Sequence, residues 1–143
     1  MTPYVVDASV AAKWFLPSSG ELLTAEAVAI QNDMEGGRRR VLVPDLFWAE
    51  MGNVLWKAAR QRRMSPAASE EALDLLQQSA ISTAPSQPLL RDALNIATVH
   101  NRSFYDSLYV ALARAADALL VTADERLANA LAARFPIRWL GAL

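Results

Sequence analysis

Four acidic side chains, Asp7, Glu50, Asp106 and Asp124, are of a type that could do chemistry if the fold brought them together. Carboxylates do two kinds of chemistry, holding hard cations and moving protons. Gathered in one place they would repel, since unit charges about 4 Å apart interact by roughly 4 kcal/mol at an effective dielectric of ~20. An acidic cluster therefore takes up protons or holds cations. The chain has no cysteine and a single histidine, His100, so a zinc-type ligand set is missing. Oxygen ligands alone point to Mg²⁺ or Mn²⁺. Such ions activate water and stabilise a phosphoryl transition state.

Three of the acids also have a local explanation. Asp7 or Ser9 can cap the helix that follows. Asp106 comes three residues after Ser103, as in a capping box, and Thr122 with Glu125 forms another, leaving Asp124 as a first-turn acid. Glu50 lacks such a reason. It lies in "PDLFWAEMGNVLW" (44–56), at the edge of an apolar arc, with Asn53 and Lys57 on its stripe and Val54 rather than a cation four residues on. Asn53 is placed to hydrogen-bond Glu50 or a substrate. Pro44 and Asp45 suit the start of this helix.

The elements that must carry these residues follow from the hydrophobic pattern. Short apolar runs, "YVVD" (4–7), "VLV" (41–43), "ALLVT" (118–122) and "IRWL" (137–140), read as strands, with "AIST" (80–83) a weaker one. Helical patterns cover 9–16, 21–35, 44–56, Ser65 to Ser79, 88–100, 103–116 and 124–135. Strands alternate with helices and no Asn-Gly or Asp-Gly hairpin signal occurs. This predicts an α/β fold with a central parallel sheet of four to five strands, flanked by helices, in one domain over residues 1–143. Sites in such sheets form beyond the carboxyl ends of the strands. Asp7 and Asp124 follow two of the strands, and Asp106 starts the helix that feeds one.

Composition sets outer limits. Apolar residues make up 53% and the net charge is −1, so no global field draws a polyanion in,. Basic residues are grouped, "RRR" at 38–40 and Lys57 to Arg63, and these would meet phosphates if a nucleic acid binds,. The four tryptophans suit a core or an interface between copies. No stretch has the length of a membrane span and no secretory signal opens the chain, so a cytoplasmic setting is expected. Gly-x-Ser-x-Gly, P-loop and Gly-x-Gly-x-x-Gly fingerprints are absent,.

"VVDASV", a Glu followed three residues later by Asn in an apolar helix, "YDSLYVALA" and "LLVTADERL", in that order, resemble a PIN-domain ribonuclease. More narrowly they resemble the VapC-type toxins of toxin–antitoxin pairs. That resemblance implies a parallel sheet with helices on both faces and Mg²⁺- or Mn²⁺-dependent cleavage of RNA. By motif it assigns the acidic site to Asp7, Glu50, Asp106 and Asp124, with Ser9 and Thr122 in support. It also implies a homodimer and a small antitoxin whose C-terminal segment covers the site. Asp7 and Asp106 are the expected principal metal ligands, completed by Glu50 and Asp124. Two rival readings remain: an inactive PIN-like module that binds RNA or protein, and a metal-dependent phosphatase. The first has no need of four acids facing phosphates. The second would want an aspartate and lysine at strand ends that the sequence does not supply.

Overall fold

The computed structural model describes all 143 residues. Five strands form the sheet: β1 (Tyr4–Val6), β2 (Val41–Pro44), β3 (Ser82–Ala84), β4 (Leu119–Thr122) and β5 (Ile137–Trp139). Their order is β3-β2-β1-β4-β5 and every pairing is parallel. Tyr4 is in register with both Val41 and Leu119, so β1 is the centre of the sheet. The central strands are apolar on both faces because both are covered. Val5, Val6, Val41, Val43, Leu120 and Val121 are fully buried. The edge strand β3 is short and mostly exposed, which is why its signal in the sequence is faint,.

The helices are α1 (Ala8–Ala11), α2 (Thr24–Glu35), α3 (Leu46–Arg60), α4 (Pro66–Gln77), α5 (Leu90–His100), α6 (Phe104–Ala115) and α7 (Glu125–Leu131). The chain steps from β1 to β2 to β3, then crosses back to β4 on the far side of β1. Helix α3 packs on α1 and α4, and α5 packs on α6. Helix α6 runs beneath the middle of the sheet, packing on β1, β2, β4 and α5. Its residues Ser107 to Ala113 are all buried. No helix is long and apolar enough to cross a membrane.

Several boundaries depart from the expected ones. Pro44 ends β2, paired in register with Ala84, and does not open α3. Asp45 is the N-cap residue of α3, yet its side chain caps nothing there. It accepts bonds from the Ser86 amide and hydroxyl instead, which hold its carboxyl below the usual range. The first helix gives way to a 3-10 turn over Ala12–Trp14, and α2 begins only at Thr24. Ser65 with Pro66 starts α4 as expected, accepting from the Ala68 amide at 3.1 Å,.

Candidate active site

Because the strand order reverses between β1 and β4, their carboxyl ends frame the crevice where open α/β sheets place ligands. A cavity of about 150 Å³ lies there, lined by Asp7, Ala8, Ser9, Glu50, Asp106, Tyr109 and Asp124. All four acids picked out from the sequence reach it, each from a different element. Asp7 follows β1 directly, Glu50 comes from α3, Asp106 from the first turn of α6, and Asp124 from the cap of α7.

Asp7 is buried and tightly held. One oxygen accepts from the Ser9 hydroxyl and from the Val10 amide at 3.4 Å, so the residue also caps α1. The other accepts from Thr122 Oγ1 at 2.6 Å, across the β1–β4 pair. Ser9 in turn accepts from the Ala123 amide at 3.0 Å, and Thr122 from the Asp124 amide at 3.1 Å. This corrects the reading of Thr122 and Glu125 as a capping box. Thr122 is turned inward to Asp7, and Asp124 is itself the N-cap, accepting from the Leu127 amide at 3.2 Å. Ser103 does cap α6, accepting from the Asp106 amide at 3.0 Å and leaving the Asp106 carboxyl facing the cavity.

Glu50 is half-buried, and its partner is Tyr109, whose hydroxyl donates to Oε1 at 2.5 Å. Tyr109 stands one helical turn after Asp106, so α6 offers both residues on one face. Sequence reasoning missed it, since in "SLYVALA" a tyrosine passes for one more core residue. The partner expected for Glu50, Asn53, is exposed, makes no such bond and does not line the cavity.

The electrostatics is one-sided. Burial pushes the Asp7 carboxyl up to about 6, outweighing the bonds from Ser9, Thr122 and Val10, and the Asp106 charge adds to it. Burial also raises Glu50 and Asp106. Tyr109 offsets part of the rise at Glu50, and Asp106 adds repulsion. At Asp106, Ser103 and the more distant Arg102 offset part of the rise, while Asp124 repels. The Tyr109 hydroxyl is held firmly protonated by burial and by the acids around it. None of the four acids belongs to a salt bridge.

The basic groups lie elsewhere. Arg38 to Arg40 precede β2 at the opposite end of the sheet, where the Arg40 carbonyl accepts from the Tyr4 amide. Arg63 is paired with Glu21 and Arg60 lies over Trp56. His100 packs edge-on against Phe135, far from any triad.

A PIN-domain family model matches residues 4–131, and the chain belongs to the PIN-domain family and, within it, to the VapC group. Ribonuclease VapC3 of Pyrobaculum aerophilum is 30% identical over 130 residues, covering 87% of this chain and 92% of that one. Ribonuclease VapC1 of Mycobacterium tuberculosis is 40% identical over 87 residues, or 61% of this chain. That match spans 65% of VapC1, a little under two thirds of its length. Among solved structures, PAE2754 from Pyrobaculum aerophilum has a TM-score of 0.71 at 26% identity, covering 99% of this chain and 85% of that one. A toxin–antitoxin complex from Klebsiella pneumoniae shares the fold, with a TM-score of 0.61 at 14% identity over 94% of this chain and 95% of that one.

Proposed function

We propose that the protein is a metal-dependent endoribonuclease and the toxin of a toxin–antitoxin pair. One observation carries this reading: four carboxylates from four elements line one small cavity, with no basic side chain paired to any of them. A module that only bound RNA would need the opposite charge. The ribonuclease names of the VapC relatives support RNA as substrate. The Klebsiella complex supports a small antitoxin as partner. The exposed Leu90, Leu94 and Val99 on α5 suit a homodimer. One domain over residues 1–143 and a cytoplasmic setting complete the reading.

The donor set fits Mg²⁺ or Mn²⁺, being all oxygen and crowded with like charge. No three acids form a ready-made cluster. The fit is therefore to an ion that keeps part of its water shell and takes one or two carboxylates, as Mg²⁺ does. Asp7 and Asp106 would hold it, with Glu50 and Asp124 completing the pocket. When bound, the ion supplies charge neutralisation at the phosphate and polarisation of water.

The chain's own residues do the rest. Ser9 and Thr122 lock the Asp7 carboxylate in one rotamer, so its remaining lone pairs face the cavity without loss of freedom on binding. Glu50, with its pKa raised by burial, is a stronger base than a solvated glutamate. Tyr109 fixes one of its oxygens, and the other takes the proton from a water aimed at the phosphorus. Asp124, at the exposed rim, narrows the entrance with negative charge, so phosphates enter only when that charge is balanced.

The test is purified protein with end-labelled structured and single-stranded RNAs, in Mg²⁺, Mn²⁺ or chelator, beside Asp7→Asn. Internal cuts are expected only with metal and only in the parent. RNA that is bound but left uncut in every lane would return the inactive module, and phosphate release without scission the phosphatase.

A further inference from the structure

The largest cleft in the molecule, about 610 Å³, opens at the other end of the sheet, where the strands begin. Thr2, Tyr4, Leu119 and Pro136 form its floor and walls, and three arginines, Arg39, Arg114 and Arg138, enter it against one acid, Asp117. Two of the arginines are preset. The Arg39 guanidinium lies 3.9 Å over the Tyr4 ring centroid and donates to the Thr2 carbonyl. The Arg114 guanidinium lies 5.1 Å over the Phe135 ring and pairs with Asp92. Arg138 extends from β5 into solvent without an ion-pair partner.

A free arginine side chain loses much rotamer freedom when it binds. One already stacked and bonded has lost that freedom on folding. The planar fork of a guanidinium also matches the oxygens of a phosphate. The catalytic end cannot supply this attraction, since its acids repel a polyanion until they are neutralised. The chain as a whole carries −1, so affinity for RNA has to come from a local positive patch,.

We propose that this cleft is a second phosphate site, an exosite that grips the RNA backbone away from the point of cleavage. The inference rests on the ribonuclease reading. From Tyr4 to Asp7 the central strand covers only about 10 Å at ~3.3 Å per residue. About ten stacked nucleotides, at about 3 Å each, cover roughly 30 Å and reach from one end of the molecule to the other. Substrates with a long flank are therefore held better than short ones, whatever their sequence.

Binding is measured by fluorescence anisotropy of a labelled RNA of about 20 nucleotides, longer than that reach, against KCl concentration. The background is Asp7→Asn with chelator, so that nothing is cut. Arg138→Gln, Arg39→Gln and the double variant should each lower the salt slope by about 1 per arginine removed, equally for unrelated sequences. Arg138→Gln should melt with its parent, which guards against a folding defect at Arg39. Inorganic phosphate should compete, and a poly-glutamate peptide should compete poorly. An unchanged slope in folded Arg138→Gln and in the double variant overturns the exosite, as does no measurable RNA binding. Displacement by poly-glutamate as effective as by phosphate also overturns it, in favour of an acidic protein surface. Cleavage by the otherwise unaltered protein is scored separately. Arginine-dependent binding without cleavage sinks the nuclease reading alone, and cleavage with arginine-independent binding sinks the exosite alone.

Discussion

The two ends of the sheet treat charge in opposite ways. At the carboxyl ends of β1 and β4, carboxylates are buried or half-buried, tied by hydroxyls and amides, and pushed toward protonation. At the amino ends, the Arg39 and Arg114 guanidinium groups lie over rings and donate to a carbonyl or a carboxylate, while Arg138 is left to solvent. One end is stabilised by its charges, the other is stable despite them. Residues that cost folding free energy and are nevertheless kept in a cleft mark a working site. The acid end is incomplete without a counter-charge, whereas two of the three arginines at the other end already have partners in the fold.

Four changes would break or sharpen this contrast. The largest effect is expected at the acids. Asp7→Asn or Asp106→Asn should lower cleavage by roughly 10²–10⁴-fold, the range for a lost essential group. The same variants should raise the melting temperature of the metal-free protein, because a repelling charge is gone. A fall in both activity and stability would make those acids structural.

Next is pH. A carboxyl whose pKa in the fold is about 6, against an ordinary 3.8, binds its proton more tightly in the folded state,. This contribution is fully present below about pH 4 and is lost as pH rises through 6. The rise is worth roughly 3 kcal/mol at most. Denaturant melts of the chelated protein should show it in the parent and more weakly in Asp7→Asn, where Glu50 and Asp106 remain raised by burial. Saturating Mg²⁺ should remove the dependence, since the ion then favours the charged form.

Tyr109→Phe should leave the cavity intact but free Glu50 to swing. An expected loss of about 10-fold in cleavage, with a higher Mg²⁺ requirement, would match the tuning seen when second-sphere partners of a site are removed. Its cost in stability should stay near 0.5–1.5 kcal/mol, one hydrogen bond. The smallest effect is at the far end. Arg39→Gln should destabilise the fold by about 0.5–1 kcal/mol through the lost stacking on Tyr4. Its sign should be opposite to that of Asp7→Asn in the same melting assay, and equal signs would dissolve the contrast.

The parts of this arrangement that were legible in the sequence are those with a positional rule. Asp7 and Asp124 sit just past strong apolar strands, and parallel strands deliver such residues to one edge. Glu50 was legible as a misfit, a carboxylate on the flank of an apolar helix with no cation in reach. The parallel sheet, expected with four to five strands, followed from alternation and the lack of hairpin signals, and the structure has five. What stayed hidden depends on partners far along the chain. Thr122 matches a capping box four residues long, yet it bonds Asp7, 115 positions away. Tyr109 meets Glu50 across 59 positions, and no local pattern distinguishes its hydroxyl from a buried ring. Helical spacing offered Asn53 to Glu50 or a substrate, but its side chain is exposed and does not line the cavity. Pro44 looked like a helix start because proline favours first turns, while the strand edge at Ala84 claimed it instead.

The bond from Thr122 to Asp7 also sets a timetable. The central strand is synthesised well before its neighbour β4, since Thr122 follows Asp7 by 115 positions. A growing polypeptide carries Asp7 long before Thr122, the partner of its second oxygen, exists. The acidic cavity can therefore take its final form only after β4 has been made.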